Sequence, residues 1–470
     1  MPNLTILHTN DIHGRVTQLS KIASLVRHIR EELHQQGDHC LFVDAGDSED
    51  TTLLESSLTK GSAMEGILRG AGCEYVALGN AIPIRYGPQA IVGLANHFGQ
   101  ALLCANMWDQ DGRTVDGLQP IAFETYGGLK VAIIGFTAPI PAYTTFFHLQ
   151  VGQPAQLLPG LIAEAKTHGA KTIIVLSHLG SAADQELAAQ IEGIDVIVGA
   201  HDHKELFPPV VVNGTVIVQA GDFGRLLGRL DLKLDAETGR VLHYRGELIP
   251  VTEDMPPDPS TQDAIQAQQM RIDVMMNREI GHLPEPFELS DEIECAVGNL
   301  LADALLDRFS DAQLSLVLAG HWETGLEAGR LSQGTLFAAN RSTANPAKAV
   351  LTGAQILQFL REALKPENRL RTIHALRGRA VGGPHIAGGV IHCGEETEEL
   401  YAEINGKRIE PEQKYIVVST DMEFSDYIGY LVIPDDKIEF EVPTIMPEVL
   451  QQYILKQSTL VRPQSRFYNK

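Results

Sequence analysis

Five short runs of aliphatic and β-branched residues lie within the first two hundred positions, and each ends in side chains of the kind that hold metal ions. Leu4-Thr5-Ile6-Leu7 precedes Asp11-Ile12-His13, and Leu41-Phe42-Val43 precedes Gly46-Asp47. Tyr75-Val76-Ala77-Leu78 precedes Gly79-Asn80. Ile173-Ile174-Val175-Leu176 precedes His178, and Val196-Ile197-Val198 precedes His201-Asp202-His203. Between the runs lie helical patterns. In Ser20 to Leu33, Ile22, Leu25, Val26 and Ile29 recur at helical spacing among Lys and Arg. Strands alternating with helices predict an α/β layered fold. In such a fold the ends of neighbouring strands converge on one crevice.

The alternation holds to about residue 248. Val210-Val211-Val212 and Thr215-Val216-Ile217-Val218, joined by Asn213-Gly214, predict a β-hairpin. Leu227 to Leu234 predicts a further strand, so the first domain mixes parallel and antiparallel pairing. Pro250 to Ser260 is rich in Pro and acid and reads as a linker. Thr261 to Glu279 has the polarity of an exposed spacer helix. The expected division is therefore residues 1–248, a linker and spacer helix over 249–280, and a second α/β domain over 281–470. In that second domain, Cys295 to Phe309 predicts a helix with Val297, Leu300, Leu301, Leu305 and Phe309 on one side. Leu314 to Leu318 predicts a strand followed by a loop containing Gly320.

Length and charge narrow the classes. The 470 residues allow two domains. Net charge is −23, and there is no basic stripe for a phosphate backbone, so nucleic acid is not the expected partner. A small phosphorylated molecule remains compatible, because bound metal ions can dominate the local field. No apolar run reaches the length of a membrane span. The N-terminus lacks the basic and apolar regions of a signal peptide. Cys40, Cys73, Cys104, Cys295 and Cys393 are odd in number and form no CxxC pair. The expected location is the cytoplasm, with the cysteines as small core residues.

Two divalent ions about 3.5–4 Å apart can activate water and clamp a phosphoryl group during in-line displacement. Such a site needs carboxylates, imidazoles and neutral oxygen ligands. Alternate residues of a tight turn face one side, so Asp11 can act with His13, and His201 with His203. Taken singly, each segment has a plain reading as a turn, a cap or a loop histidine. Their ordered occurrence together points to metal.

The segments ILHTNDIHGR, VDAGDSED, ALGNAIPIRYG, VLSHLG and VIVGAHDH carry a resemblance to the calcineurin-like metallophosphoesterases, and within them to the 5'-nucleotidase and UDP-sugar hydrolase family. CAVGNLLADALLDRF, VLTGAQILQFLREAL and YIVVSTDMEF resemble that family's C-terminal domain. The resemblance implies a four-layer β-sandwich metallophosphoesterase domain followed by an α/β substrate domain of the 5'-nucleotidase type. It also implies two ions, zinc, manganese or iron. The first would rest on Asp11, His13, Asp47 and His203. The second would share Asp47 and use Asn80, His178 and His201.

One motif departs from that family. Its usual Gly-Asn-His-Glu-Phe-Asp is written here Gly79-Asn80-Ala81-Ile82-Pro83-Ile84. The ligand Asn80 stays, but Ala81 and Ile84 stand where a histidine and an aspartate would assist the departing oxygen. A general acid of that kind contributes roughly 10²–10⁴-fold. A basic alkoxide leaving group should suffer most from the loss, and a phosphoanhydride least. Arg85 offers a candidate positive charge beside the break, with a solvent-facing arginine as its plainer reading. Asn80 and Arg85 are therefore the catalytic candidates. The loop Leu318 to Glu323 lacks the family's substrate arginine, and Ala338 to Ser342 replaces its Pro-Phe-x-Asn stretch. Phe424 falls near a position where the family stacks a base, and core packing is its other reading.

Two functions follow as expectations. One is a phosphohydrolase of 5'-nucleotidase type on nucleotides or related anhydrides and esters, with reduced or altered activity. The other is a metal-binding pseudoenzyme serving as a sensor or interaction protein.

Overall fold

The computed structural model describes residues 3–51, 53–373, 376, 378–393, 400–457 and 459–469. Each of the five apolar runs forms a strand. They are Asn3–Thr9, His39–Asp44, Tyr75–Val76, Thr172–His178 and Val196–Gly199. The third is shorter than expected: Val76 is the last residue paired with Asp44, and Ala77, whose N–H donates to Asp44 O at 2.9 Å, already bridges Leu103.

By its contacts the chain divides into two units, Met1–Ile272 and Asp273–Lys470. In the first unit a five-stranded sheet runs in the order Val241–Pro250, Leu226–Leu234, Asn3–Thr9, His39–Asp44, Tyr75–Val76. A six-stranded sheet runs Val210–Val212, Thr215–Val218, Val196–Gly199, Thr172–His178, Leu129–Thr137, Ile121–Tyr126. The strands that carry the metal-type residues are parallel to their neighbours of the same set, and the outer strands are antiparallel.

Strand alternation sorts the side chains into layers. Ile6, Val43, Ile133, Leu176, Val198 and Leu230 pack between the two sheets. Leu7 and Phe42 point the other way, against Ile22 and Val26 of the helix Val16–Gln36. Ile134, Val175 and Ile197 pack with Leu158, Ile162 and Leu187 from the helices Pro154–Thr167 and Ser181–Gln190. Helix, sheet, sheet, helix is the expected four-layer arrangement. Each fully buried aliphatic side chain in it contributes about 1.5–3 kcal/mol. The predicted hairpin is present, with Asn213 and Gly214 at φ +49° and +86°, the signature of a type I′ turn.

The expected linker differs from what forms. The strand Val241–Pro250 runs past residue 248, and the helix spans Pro259–Met276 rather than 261–279. Glu279 opens the strand Glu279–Leu283. The acid and proline that looked like linker are tied to the first unit. Asp258 donates its N–H to the Ser20 carbonyl at 3.0 Å and pairs with Arg27, and Gln262 reaches the Ser20 hydroxyl at 3.0 Å. Composition alone does not reveal such partners.

The second unit has a five-stranded sheet in the order Pro384–Ala387, Leu314–Leu318, Lys414–Thr420, Pro346–Thr352, Ile438–Phe440. Helix Ala296–Arg308 buries Val297, Leu300, Leu301 and Leu305. Helix Gly353–Leu364 starts at a capping box between Thr352 and Gln355. None of the five cysteines is in a disulfide. No described helix is long and apolar enough to cross a membrane.

Candidate metal centre

The loops after the first two strands are laced together by their backbones. Asp11 N–H donates to Gly46 O at 2.9 Å, His13 N–H to Asp47 O at 3.2 Å, and Gly14 N–H to Ser48 O at 2.8 Å. The lacing holds side chains in a backbone conformation they avoid. Asp11, His13, Asp47, His201 and His203 all have positive φ, between +46° and +81°. Each such residue costs on the order of 1 kcal/mol, and clusters of them mark functional sites.

The side chains converge. Asp11 is fully buried. Its Oδ2 accepts from Asn10 Nδ2 at 2.8 Å and from His201 N–H at 2.9 Å. Its Oδ1 has no hydrogen-bond partner and lies 3.5 Å from His203 Nε2 and 3.9 Å from His13 Nε2. Asp47 Oδ1 accepts from Ala81 N–H at 2.9 Å, and Oδ2 lies 3.3 Å from His178 Nε2. Asn80 Oδ1 is 3.1 Å from the same His178 Nε2.

Proton positions decide what this arrangement wants. His178 Nδ1 donates to Ala45 O at 2.9 Å, and His13 Nδ1 to Glu49 O at 3.1 Å. His203 Nδ1 donates to the Asp222 carboxylate at 3.1 Å. Outer partners of this kind fix the tautomer of metal-ligating histidines. With Nδ1 protonated, a neutral ring presents a bare lone pair at Nε2. The lone pairs of His13 and His203 then face each other across 3.3 Å. That of His178 faces two oxygens. Such contacts are repulsive unless a cation lies among them. Burial opposes the charge on His178, but Asp47 outweighs it and raises its pKa to about 9. Burial likewise works to raise the Asp47 pKa, and His178 overrides it, to about 2.

Asp11, His13 and His203 bring one ligand atom each within 4.8 Å of one another, and so do Asp11, Asp47 and His178. The residues fit divalent ions. The resemblance puts Asp47 in the shared position, whereas here Asp11 belongs to both groups. His201 stands outside both, with its ring edge-on to His178 at 5.1 Å between centroids. A second shell of acid lies behind Asp47, where burial raises Glu65 to about 7 and, with Glu65 beside it, raises Glu49 well above its ordinary value.

The remaining candidates lie at the edge of the centre or in the second unit. Ala81 and Arg85 lie on the short helix Ala81–Tyr86, both half-buried. Ile82 is buried and Ile84 packs against the same core. Phe424 is fully buried, so its ring offers no face to a base; the stacking expectation is corrected by simple burial. Around it, His321 Nε2 meets Glu423 at 2.8 Å and His321 Nδ1 meets Ser342 at 2.6 Å, all out of water. Asp222 was not among the residues expected from sequence. A signal for it was present: Ala220-Gly221-Asp222 follows the run Thr215 to Val218 as Ala45-Gly46-Asp47 follows Leu41 to Val43, and it acts through His203.

Residues 4–205 match the family model described as calcineurin-like phosphoesterase, and residues 279–433 match that of the 5'-nucleotidase C-terminal domain. The first domain is a calcineurin-like phosphoesterase domain, and the second a 5'-nucleotidase C-terminal domain. An uncharacterized metallophosphoesterase (YunD) of Bacillus subtilis is 24% identical over 95% of this chain and 98% of its own. A bovine 5'-nucleotidase is 27% identical over 65% of this chain, which spans only 60% of that protein's length. These relatives are hydrolases. Among solved structures, the NAD nucleotidase of Haemophilus influenzae superposes with a TM-score of 0.58 at 18% identity, covering 100% of this chain and 99% of that one. The 5'-nucleotidase precursor of Thermus thermophilus gives 0.54 at 22% identity, covering 99% of each. Both share the fold. Calcineurin-like phosphoesterases bind divalent metals, and the centre of this domain carries ligand groups for them.

Proposed function

We propose that the chain is a two-metal phosphohydrolase of 5'-nucleotidase type, acting on nucleotides or related phosphoanhydrides and phosphoesters, in a reducing intracellular compartment. The observation that carries this reading is the pair of inward Nε2 atoms of His13 and His203, 3.3 Å apart with both Nδ1 atoms anchored outward. The 5'-nucleotidase relatives support a nucleotide substrate.

Asp11, His13 and His203 would hold one ion, and Asp11, Asp47, His178 and Asn80 the other, with His201 beside them. Bound ions supply Lewis acidity and an activated water. The chain itself orients the ligands. Ala45, Glu49 and Asp222 set the three imidazoles, and the Ala81 N–H fixes Asp47. Attack by water on phosphorus breaks the bond to the leaving oxygen, which keeps the electron pair. An alkoxide then needs a proton, and neither Ala81 nor Ile84 has one to give. A departing phosphate needs none. The reading therefore includes a preference for anhydrides and aryl phosphates over simple nucleoside monophosphates.

One observation favours the pseudoenzyme reading: Ile84 is half-buried against the hydrophobic core and carries no group that could assist a leaving oxygen. A single experiment separates the two. Protein loaded with Mn²⁺ or Zn²⁺ is assayed against a nucleoside monophosphate, a dinucleotide, a sugar nucleotide and an aryl phosphate, with Asp47→Asn as control. Metal-dependent hydrolysis of the anhydrides that disappears in the control is the expected result. Silence on every substrate supports the pseudoenzyme instead.

A further inference from the structure

Phe223 holds a backbone conformation that a bulky side chain avoids, φ +55°. Two contacts keep it there. Its N–H donates to the carbonyl of the ligand Asp11 at 2.8 Å. Its ring lies 5.8 Å from that of His13 and 6.2 Å from that of His203, centroid to centroid. The flanking Gly221 and Gly224 also have positive φ, so the turn is bent to deliver this ring to the edge of the centre. The core does not require it, since the ring is only half-buried.

The ring supports a cation. The guanidinium of Arg15 sits over it, 4.8 Å from the centroid. Arg15 is two residues after the ligand His13 and 44% exposed. Both of its polar contacts among the described residues, to His13 O at 2.9 Å and to Asp50 at 3.5 Å, are made by Nη1. That leaves Nε and Nη2 for a planar, two-point contact with an anion.

We propose that Arg15, propped on Phe223, is a specificity residue that holds the second phosphate of a diphosphate-bridged substrate. The inference rests on the phosphohydrolase reading and names its substrate class. One phosphate occupies the ligand cluster itself. Arg15 lies outside that cluster, on the side of His13 and His203, and so meets the next phosphate along. It does no chemistry. The stack with Phe223 fixes the guanidinium plane, which a lysine cannot reproduce.

The test is binding, so it does not depend on turnover. The full chain in excess Mn²⁺ is titrated with a methylene-bridged, nonhydrolysable nucleoside diphosphate and with the matching nucleoside monophosphate. Wild type should favour the diphosphate. Arg15→Ala should lose about 10-fold or more for the diphosphate and less than about 3-fold for the monophosphate. Arg15→Lys and Phe223→Leu should fall between, with metal content unchanged. Equal losses on both ligands, no loss on either, or a wild type without preference overturns the proposal. A wild type that shows the preference but hydrolyses neither anhydride nor aryl phosphate overturns the hydrolase reading, while the Arg15 result still supports the diphosphate contact.

Discussion

His13 and His203, 190 residues apart, bring their Nε2 atoms to 3.3 Å. Each ring is pinned from behind, His13 by the Glu49 carbonyl and His203 by the Asp222 carboxylate. A cation that binds between them binds the folded domain and not the unfolded chain. Metal loading should therefore stabilise the first domain. At an ion concentration 100 times Kd the gain is about 2.7 kcal/mol, a rise of about 5–10 °C in Tm for a domain of this size. Differential scanning calorimetry with Mn²⁺ or Zn²⁺, then with excess chelator, measures it. Asp11→Asn should abolish most of the rise.

Asp222→Ala should weaken metal binding without unfolding the chain. Loss of an outer partner of this kind costs about 10–100-fold in affinity. Chelator competition measures that loss, and a Tm of the metal-free variant near that of wild type shows that the fold is kept. Affinity equal to wild type would mean that Asp222 does not set the His203 tautomer.

Gly79→Ala should damage both fold and centre. A methyl group there would lie 2.1 Å from Asp47 Oδ1 and 2.3 Å from Asp47 N. Backbone cannot yield that far, so a loss of about 3 kcal/mol is expected, at the upper end for overpacking. Denaturant titration and metal stoichiometry both report it.

Asp184 gives a pH signature. It is fully buried on the helix Ser181–Gln190, and burial pushes its carboxyl up to about 7. The folded pKa lies above the unfolded value, so the native state binds more protons through that window. The contribution to stability is present below the unfolded pKa and is lost as pH rises through 7. Asp184→Asn, which cannot ionise, should be more stable than wild type at pH 8.5 by up to about 4 kcal/mol. The difference should vanish near pH 4. Urea titrations of the metal-free proteins across that range decide it.

Ala81→His tests the altered motif directly. Position 81 lies at the edge of the centre, because its N–H bonds to Asp47. A donor there should raise hydrolysis of a nucleoside monophosphate by about 10-fold or more, and change anhydride hydrolysis little. Ile84→Asp should cost stability, since the half-buried Ile84 packs against the core.

Much of this was legible before the structure. The strands and the convergence of Asp11, His13, Asp47, Asn80, His178 and His203 follow from apolar runs with polar ends, and the four layers from the family resemblance. Periodicity encodes the strands because each run alternates between two buried faces. Other features leave no periodic trace. Asp258 anchors a stretch whose composition reads as linker. Phe424 looked like a stacking residue, but exposure depends on what closes over a ring.

The sheet order has a consequence for biosynthesis. Asn3–Thr9 lies between His39–Asp44, which follows it closely in the chain, and Leu226–Leu234, which does not. Its second edge stays open until some two hundred further residues have been translated. The ligands are spread likewise, from Asp11 to His203. Ion capture cannot seed folding early; it must follow release of most of the first domain from the ribosome. Until then the exposed edge of Asn3–Thr9 is where a nascent chain is open to mispairing.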